Sequence, residues 1–548
     1  MPNLSQLRRQ KMLGFLDRIR KEHTDDESLA AISEIENALT AKKYGLVWEE
    51  HEERADVEMK QGIPVWTEDA GKEIISGADL PVHFLLEGDN LHSLRLLEKT
   101  HSGRVDLIYI DPPYNRGKTD FIYDDNYVAA EDGFRHSKWL SFMGKRLLAA
   151  RELLSKKGLL FISIDDNEVA QLKMLCDEIF GESGFINLFV WKRNSSGKTE
   201  KDKFTVNTEY VLLYAKSGGY SLNPAYKPLA DSSQKLYNKD DHDGRGRYQT
   251  VSLQKPRDPG PDTTYDYVDN NGKVWKCPPK GWRMRYEKIK ALENDGRLVL
   301  SGRSLRVKDY WNERKNEGKR IDTLWDDLPE NSKASKDLEM ILGKAGLFDN
   351  PKPVELVRRC LEVADQDAVV LDFFAGSGTT GQAVLELNRE DGGHRQFILC
   401  TNDEGGICGS VTWPRLRTVI TGVRPDGTIY SEGIPVNLKY YRAGFAEKCP
   451  ADPETNAGSA LLPHIKELIQ LKTGRIFDSR TEPLILTDEE ADALFGDPDR
   501  LELCRNLYLS ADVLLTLEQE QALKEREIQT HIVPDCFYET ELMEVGER

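Results

Sequence analysis

The stretch AVVLDFFAGSGTTGQAVLELNRE, residues 368–390, decides the fold. A short apolar run ends at Asp372, a turn follows in which Gly376, Gly378 and Gly381 satisfy G-x-G-x-x-G, and a helical pattern opens where the turn closes. Strand, glycine turn and helix in this order begin a nucleotide-binding unit, because glycine accepts the tight backbone and lets a ligand approach it closely. RQFILCTNDE (395–404) supplies the next strand. Upstream, PVHFLLEGDN (81–90), VDLIYIDPPYN (105–115), GLLFISIDD (158–166), FINLFVWKR (185–193) and EYVLLYAKS (209–217) are short apolar runs interspersed with helical patterns. One such pattern carries Trp139, Phe142, Met143, Leu147, Ala150 and Leu154. The alternation predicts right-handed crossovers and a parallel sheet, a doubly wound, Rossmann-like α/β core.

Residues 219–345 lose this rhythm and become rich in Gly, Pro, Asp and Lys, with KPRDPGPD (255–262) reading as an exposed loop. The expected organisation is a helical N-terminal arm over 1–75, the first half of the core over 76–218, an insert over 219–345, the second half over 346–432 and an acidic C-terminal α+β domain over 433–548. Within the arm, Leu29, Ile32, Ile35, Ala38 and Leu39 fall near one face of a helix predicted over 28–40.

The chain has 548 residues, 39 % of them hydrophobic and 31 % charged, which fits a globular protein and excludes a disordered or fibrous one. No run of eighteen apolar residues occurs, and the basic N-terminus has no apolar stretch behind it, so neither a membrane span nor a secretory signal is expected. The expected address is cytoplasmic. Eight cysteines without a CxxC pair argue against a zinc site or a disulfide framework, and no metal is expected. A net charge of −18 speaks against nucleic acid until its distribution is read. Residues 451–548 hold 22 acidic and 9 basic side chains, whereas Lys280 to Arg320 hold 13 basic and 6 acidic ones, interleaved with Trp282, Tyr286, Tyr310 and Trp311. That basic stretch is either a solvated face or a nucleic-acid surface, for which Arg283, Arg285, Lys288, Arg303 and Arg306 are the candidates.

The glycine turn by itself admits two cofactors. Asp403 and Glu404 lie where a dinucleotide's ribose carboxylate would sit, so a dinucleotide-dependent oxidoreductase fits the spacing, while the missing Gly-Lys-Ser/Thr rules out a P-loop. Asp372 shifts the balance, since a carboxylate at the strand end repels a pyrophosphate but suits the cationic amino-acid end of S-adenosylmethionine. Asp111-Pro112-Pro113-Tyr114 is sharper. The exocyclic amine of adenine or cytosine is a poor nucleophile because its lone pair is delocalised into the ring. A carboxylate accepting one N–H and a backbone carbonyl accepting the other draw the nitrogen toward sp³ and free the lone pair for in-line attack on a sulfonium methyl. Asp111 and the carbonyl of Pro112 offer that pair, and Tyr114 offers a ring on which a base rotated out of the duplex can stack.

The tetrad together with DFFAGSGTT resembles the amino-methyltransferases of DNA, and a catalytic motif preceding the glycine motif resembles their permuted β class, with the target recognition domain between the halves. DPPYNRGKTDFIYDDNY (111–127), with GDN (88–90), ISIDDNE (162–168), EYVLLYAK (209–216) and NPKP (350–353), is similar to the modification subunits of type III restriction systems. The resemblance implies an enzyme that transfers a methyl group from S-adenosylmethionine to adenine N6 of a flipped base. It places Phe374, Gly376 and Gly378 along the cofactor, Asp372 near its amino-acid end, Lys352 and Pro353 over it, and Asp89 and Asn90 beside its adenosine. Thr401 stands where relatives often carry the ribose-binding acid, which leaves Asn402 and Glu404 just after it as candidates. Arg116 stands where type III relatives commonly have threonine. The implied partners are double-stranded DNA, a second copy of the chain and a helicase-nuclease restriction subunit. Cytosine N4 fits the same arrangement of acceptors, and an orphan adenine methyltransferase, a dinucleotide-binding oxidoreductase and a catalytically silent DNA-binding scaffold remain alternatives.

Overall fold

A computed structural model describes the chain apart from residues 1–3, 23–31, 33–34, 37–47, 50, 78–79, 118–120, 124–125, 130, 197–203, 228–234, 257–259, 302–303, 315–318, 449–455 and 548. It divides into two compact units, one made of Met1–Asn223 with Thr323–Arg548 and the other of Pro224–Asp322.

The first unit holds a ten-stranded sheet. In chain order its strands are β1 (Gly62–Glu68), β2 (Val82–Glu87), β3 (Val105–Ile110), β4 (Leu154–Ile164), β5 (Phe185–Lys192), β6 (Thr208–Ala215), β7 (Leu324–Trp325), β8 (Val369–Asp372), β9 (Gln396–Thr401) and β10 (Asn437–Glu447). Across the sheet they lie in the order β1-β10-β2-β9-β8-β3-β4-β6-β5-β7. From β10 to β4 every neighbour is parallel. The central strands are near-continuous apolar runs because both faces are covered: in β3 every residue but Asp106 is buried. The parallel expectation stops at β6, which runs antiparallel to both β4 and β5. A parallel return needs a crossover, and the described part of the 193–207 connection contains no helix, so the chain doubles back as a hairpin.

Helices α1 (Asn90–His101), α2 (Arg135–Leu153), α3 (Val169–Phe180), α4 (Val354–Leu361), α5 (Thr379–Asp391) and α6 (Trp413–Thr421) clothe this core. On α2, Trp139, Met143, Leu147 and Ala150 form the buried stripe that the sequence period predicts, while Phe142 is only partly buried. The chain leaves β8 through α5 toward β9 on one side, and leaves β3 through α2 toward β4 on the other. Because β8 and β3 are neighbours, with Val370 opposite Leu107 and Leu371 opposite Ile108, the strand order reverses between them. The crevice beyond the carboxyl ends of these two strands is where an open α/β sheet takes its ligands.

Three expected boundaries move. β1, assigned to the N-terminal arm, and β10, assigned to the C-terminal domain, both belong to the main sheet, where β10 pairs with β2 from Asn437 to Arg442 and β1 pairs with β10. The insert expected to reach 345 gives way at Asp322, since β7 pairs with β5 and the helix Asn331–Leu342 packs on α6. The helix predicted over 28–40 lies largely outside the described residues, although Leu4–Glu22 is helical. Near the C-terminus a small parallel sheet of Leu484–Ile485, Asn506–Ser510 and Gln529–Val533 has its own apolar core. The second unit contains an antiparallel sheet of Tyr248–Ser252, Ser304–Tyr310 and Leu298–Ser301, with a core of Leu253, Tyr267, Trp275, Trp282, Ile289 and Leu305. Among the described residues no helix is long and apolar enough to cross a membrane.

Candidate active site

Asp111 follows the last residue of β3, so the parallel ladder itself delivers the tetrad to the switch-point crevice. Two protein groups meet its carboxylate on the same oxygen: the Tyr114 hydroxyl donates to Oδ1 at 2.8 Å and the Lys352 ammonium stands 3.0 Å from it. Oδ2 is left for a substrate, and 27 % of the side chain's surface remains open. Trp139 Nε1 donates to the carbonyl of Pro113 at 2.7 Å, whereas no group among the described residues donates to that of Pro112. Among the described residues no side chain or amide donates to Asp111 Oδ2 or to the Pro112 carbonyl, the two acceptors on adjacent residues that amine activation requires. Asn115 adopts a left-handed φ of 57°, which turns the chain sharply after the tetrad, and its buried amide donates to Glu168 at 2.6 Å.

A second carboxylate completes the cluster. Glu209 is the second residue of β6, whose antiparallel course sets Tyr210 opposite Ile164 and so brings its first residues to the same edge as the carboxyl end of β4. Its side chain is 2 % exposed and meets Lys352 at 3.2 Å, Arg193 at 3.0 Å and the Tyr114 hydroxyl at 3.2 Å. Burial pushes the Asp111 carboxyl above the usual range, with Lys352 opposing that rise and Glu209 adding to it. Glu209 goes the other way: burial raises it, but Lys352 and Arg193 outweigh burial and hold it below the ordinary value. Burial works against the charge on Lys352, and the two carboxylates overcome it, keeping the ammonium protonated. Lys352 thus separates two carboxylates that would otherwise repel each other in a poorly solvated space. Glu209 is the first residue of the EYVLLYAK motif, but neither its place beside Asp111 nor the part of Arg193 is expected from the sequence, where the available signal is a carboxylate near the start of an otherwise apolar strand.

The glycine turn lies beside this cluster and is tied to it through one residue. While the Lys352 ammonium reaches Tyr114, its backbone carbonyl accepts from Thr379 Oγ1 at 3.3 Å, and Pro353 caps the start of α4. Gly376 and Gly378 have φ of +47° and +80°, and a Cβ would come within 3.1 Å of the Phe348 ring at the first and 3.2 Å of Thr412 Cγ2 at the second. A Cβ on Gly381 would stand 2.6 Å from Leu416, so the third glycine serves close packing of α5 against α6. Asp372, expected against the cofactor's cationic end, accepts within the turn from the Phe374 amide at 3.0 Å and from Thr380 Oγ1 at 2.5 Å. Only 2 % exposed, it is pushed up to about 7 by burial. Its place is that of a clamp on the turn. Arg415, on α6, is a second clamp that sequence reasoning missed: its buried guanidinium donates to Ser377 Oγ at 3.0 Å, Thr379 Oγ1 at 2.8 Å and Gln382 Oε1 at 2.9 Å, and burial brings it down to about 10.

Asp89 caps α1 by accepting from the Leu91 amide at 2.7 Å, and Asn90 donates to the carbonyl of Phe373 at 2.9 Å, which locks the GDN turn onto the glycine turn. Arg146, buried, holds Asn90 Oδ1 at 2.5 Å and both oxygens of Glu53 at 3.0 and 2.9 Å. Asn402 is half-buried and Glu404 exposed just past β9. Phe374 is partly buried and packs with Phe373 and Phe142. Within the second unit, Arg283 and Lys288 are exposed, and Arg285 is exposed and pairs with Asp262 at 2.8 Å. Arg306 donates to the Thr250 carbonyl at 2.6 Å inside its own sheet, which leaves it less available than expected. Arg303 lies outside the described residues.

Residues 105–408 match the family model described as DNA methylase. The chain is 39 % identical over 355 residues to the Mod subunit of the type III restriction-modification enzyme StyLTI of Salmonella typhimurium, covering 59 % of this chain and 52 % of that one. It is 35 % identical over 335 residues to the type II methyltransferase M.KpnI of Klebsiella pneumoniae, covering 57 % of this chain and 78 % of that one. Among solved structures, the cytosine-N4-specific PvuII DNA methyltransferase aligns with a TM-score of 0.33 at 12 % identity over 60 % of this chain and 86 % of that one. The chain belongs to the DNA methylase family. It spans about half the length of the StyLTI subunit.

Proposed function

We propose that this chain is a DNA methyltransferase that methylates adenine N6 in a duplex recognition sequence and acts as the modification subunit of a restriction-modification system. The observation that carries the reading is the pair of acceptors, Asp111 Oδ2 and the Pro112 carbonyl, at the carboxyl end of β3 beside the glycine turn. That turn fits S-adenosylmethionine, since its glycines leave room where any Cβ would intrude and no Gly-Lys-Ser/Thr is present to hold a nucleoside triphosphate. Phe374, Gly376, Gly378, Asp89, Asn90, Lys352 and Pro353 would hold it, with Asn402 or Glu404 toward its ribose. Bound there, it supplies an electrophilic sulfonium methyl.

Asp111 and the Pro112 carbonyl accept the two N–H bonds of the target amine and orient its lone pair. Lys352 favours the ionised form of Asp111 against the effect of burial, and the amine proton released on methylation passes toward the Asp111 carboxylate and then to solvent. Asp111 acts chiefly by fixed electrostatics, the kind of contribution worth about 10²–10³ in rate. Adenine is favoured over cytosine because the tetrad opens with aspartate, as in the adenine enzymes it resembles. The insert with its exposed Arg283, Arg285 and Lys288 is assigned to DNA recognition, supported by its local excess of basic residues. A homodimer is supported by Met12 and Phe15, which remain 47 % and 55 % exposed on the N-terminal helix, and a nuclease partner by the likeness to a type III subunit. Mapping modified bases in DNA from cells with and without the gene tests the reading: N6-methyladenine at one short sequence, present only with the gene, supports it, and its absence refutes it.

A further inference from the structure

The Tyr114 ring, on which the sequence leads a flipped base to be expected to stack, is already covered. The Arg116 guanidinium carbon lies 4.9 Å from the ring centroid, and Tyr114 is 7 % exposed. Arg116 is anchored there by Asp165 Oδ2, which accepts from its Nε at 2.9 Å, and by Glu209, 3.6 Å from its terminal nitrogen. A guanidinium is planar, delocalised and weakly hydrated, so it resembles a base in shape and in its affinity for an aromatic face. We propose that Arg116 is a built-in stand-in for the target base, occupying the stacking face of Tyr114 in the DNA-free enzyme and yielding it when a base enters.

The geometry decides which of the two side chains gives way. The Tyr114 hydroxyl is fixed by Asp111 at 2.8 Å, Lys352 at 2.8 Å and Glu209 at 3.2 Å, and swinging the ring aside would break all three contacts with buried charged groups. Arg116 is one-third exposed and hangs on a long, flexible stem, so it can turn outward to solvent at the cost of its contacts with Asp165 and Glu209. The occupied face also shields the buried Glu209 carboxylate from water until a base replaces the guanidinium. Any base must then compete with an internal ligand, and a base that stacks poorly or fails to reach the Asp111 and Pro112 acceptors loses that competition. Arg116 is in this sense a specificity-determining residue acting through the Tyr114 face.

The inference rests on the proposed methyltransferase reading, and its test separates the two. The probe is a duplex carrying the sequence found by modification mapping, prepared once with adenine and once with an abasic residue at the target position. Affinities are measured for the full-length protein with S-adenosylhomocysteine bound. Arg116→Ala should bind the adenine duplex roughly three- to tenfold more tightly than the parent, the scale of one displaced cation–π contact, and should bind the abasic duplex equally well, because no base needs the ring there. Arg116→Gln, which keeps a donor for Asp165 but not the planar cation, should act in the same direction and covers the case of an unstable alanine variant. Equal changes on both duplexes would make Arg116 a phosphate ligand and overturn the proposal, as would no change on either. A parent protein that does not methylate the adenine duplex instead overturns the proposed function itself.

Discussion

Lys352→Met removes the cation that, among the described residues, faces both Asp111 and the buried Glu209. The ammonium has Asp111 at 3.0 Å, Glu209 at 3.2 Å and the Tyr114 hydroxyl at 2.8 Å, and is itself 7 % exposed. Breaking a buried ion pair by deleting one partner costs about 3–5 kcal/mol, and Arg193 beside Glu209 keeps the loss toward the lower end of that range. The pH dependence has a definite sign. Glu209 is held below its ordinary value, so its stabilisation is complete above the ordinary glutamate range near 4.5 and fades as pH falls through its lower folded value. The stability gap between parent and variant should therefore be widest near neutrality and close on acidification. In activity the effect falls on Asp111, whose carboxyl is already raised and loses the cation that restrains it. Because the ionised form accepts the amine, the acid limb of the rate profile should move to higher pH, with the plateau rate reduced by about 10²-fold. Glu209→Gln should move that limb the other way, by removing a charge that raises Asp111. Denaturant unfolding and single-turnover methylation across pH 5–9 read both quantities. A stability loss below about 1 kcal/mol, or limbs that move in the same direction in the two variants, would refute the electrostatic account of the cluster.

Other outcomes follow from the same structure. Asp372 titrates near 7 in the folded chain, well above an ordinary aspartate, so the folded state binds its proton more tightly and stability should fall, by up to about 1.4 kcal/mol per unit, as pH rises between about 4 and 7. Asp372→Asn should abolish that slope in thermal melts; an unchanged slope contradicts the assignment. Gly376→Val should weaken S-adenosylmethionine binding in calorimetry at least tenfold, since the side chain fills the space against Phe348 at an unfavourable φ, and parent-like affinity would show the turn to be only structural. Neutralising Arg283, Arg285 and Lys288 together should lower DNA affinity and reduce its salt slope by about 0.9 per lost phosphate contact; an unaltered slope places recognition elsewhere.

The sequence carries the core and the two motifs plainly because each is contiguous. A strand, a glycine turn and a helix are adjacent in 368–390, and a tetrad at a strand end needs no partner to be noticed. What it conceals is assembled across distance. Glu209 reaches Tyr114 over 95 positions, and only the antiparallel course of β6, itself the consequence of a hairpin where a crossover was expected, brings it to the site. Asp372 carries a charge that suggests a ligand contact, and the fold adds donors from its neighbours Phe374 and Thr380, local contacts that spacing does not reveal. The boundaries at 75 and 433 failed for a related reason: β1 and β10 look like parts of the terminal regions in a linear reading, and only sheet pairing assigns them to the core.

The most direct test of the central claim is the chemical identity of the product. Purified protein is incubated with S-adenosylmethionine labelled in its methyl group and duplex DNA containing the mapped site, and the DNA is digested to nucleosides and separated by mass. The account predicts label in N6-methyladenine with the parent chain and at least a hundredfold less with Asp111→Ala, whose cofactor binding is retained. Label in N4-methylcytosine, or equal labelling by the Asp111 variant, would contradict it.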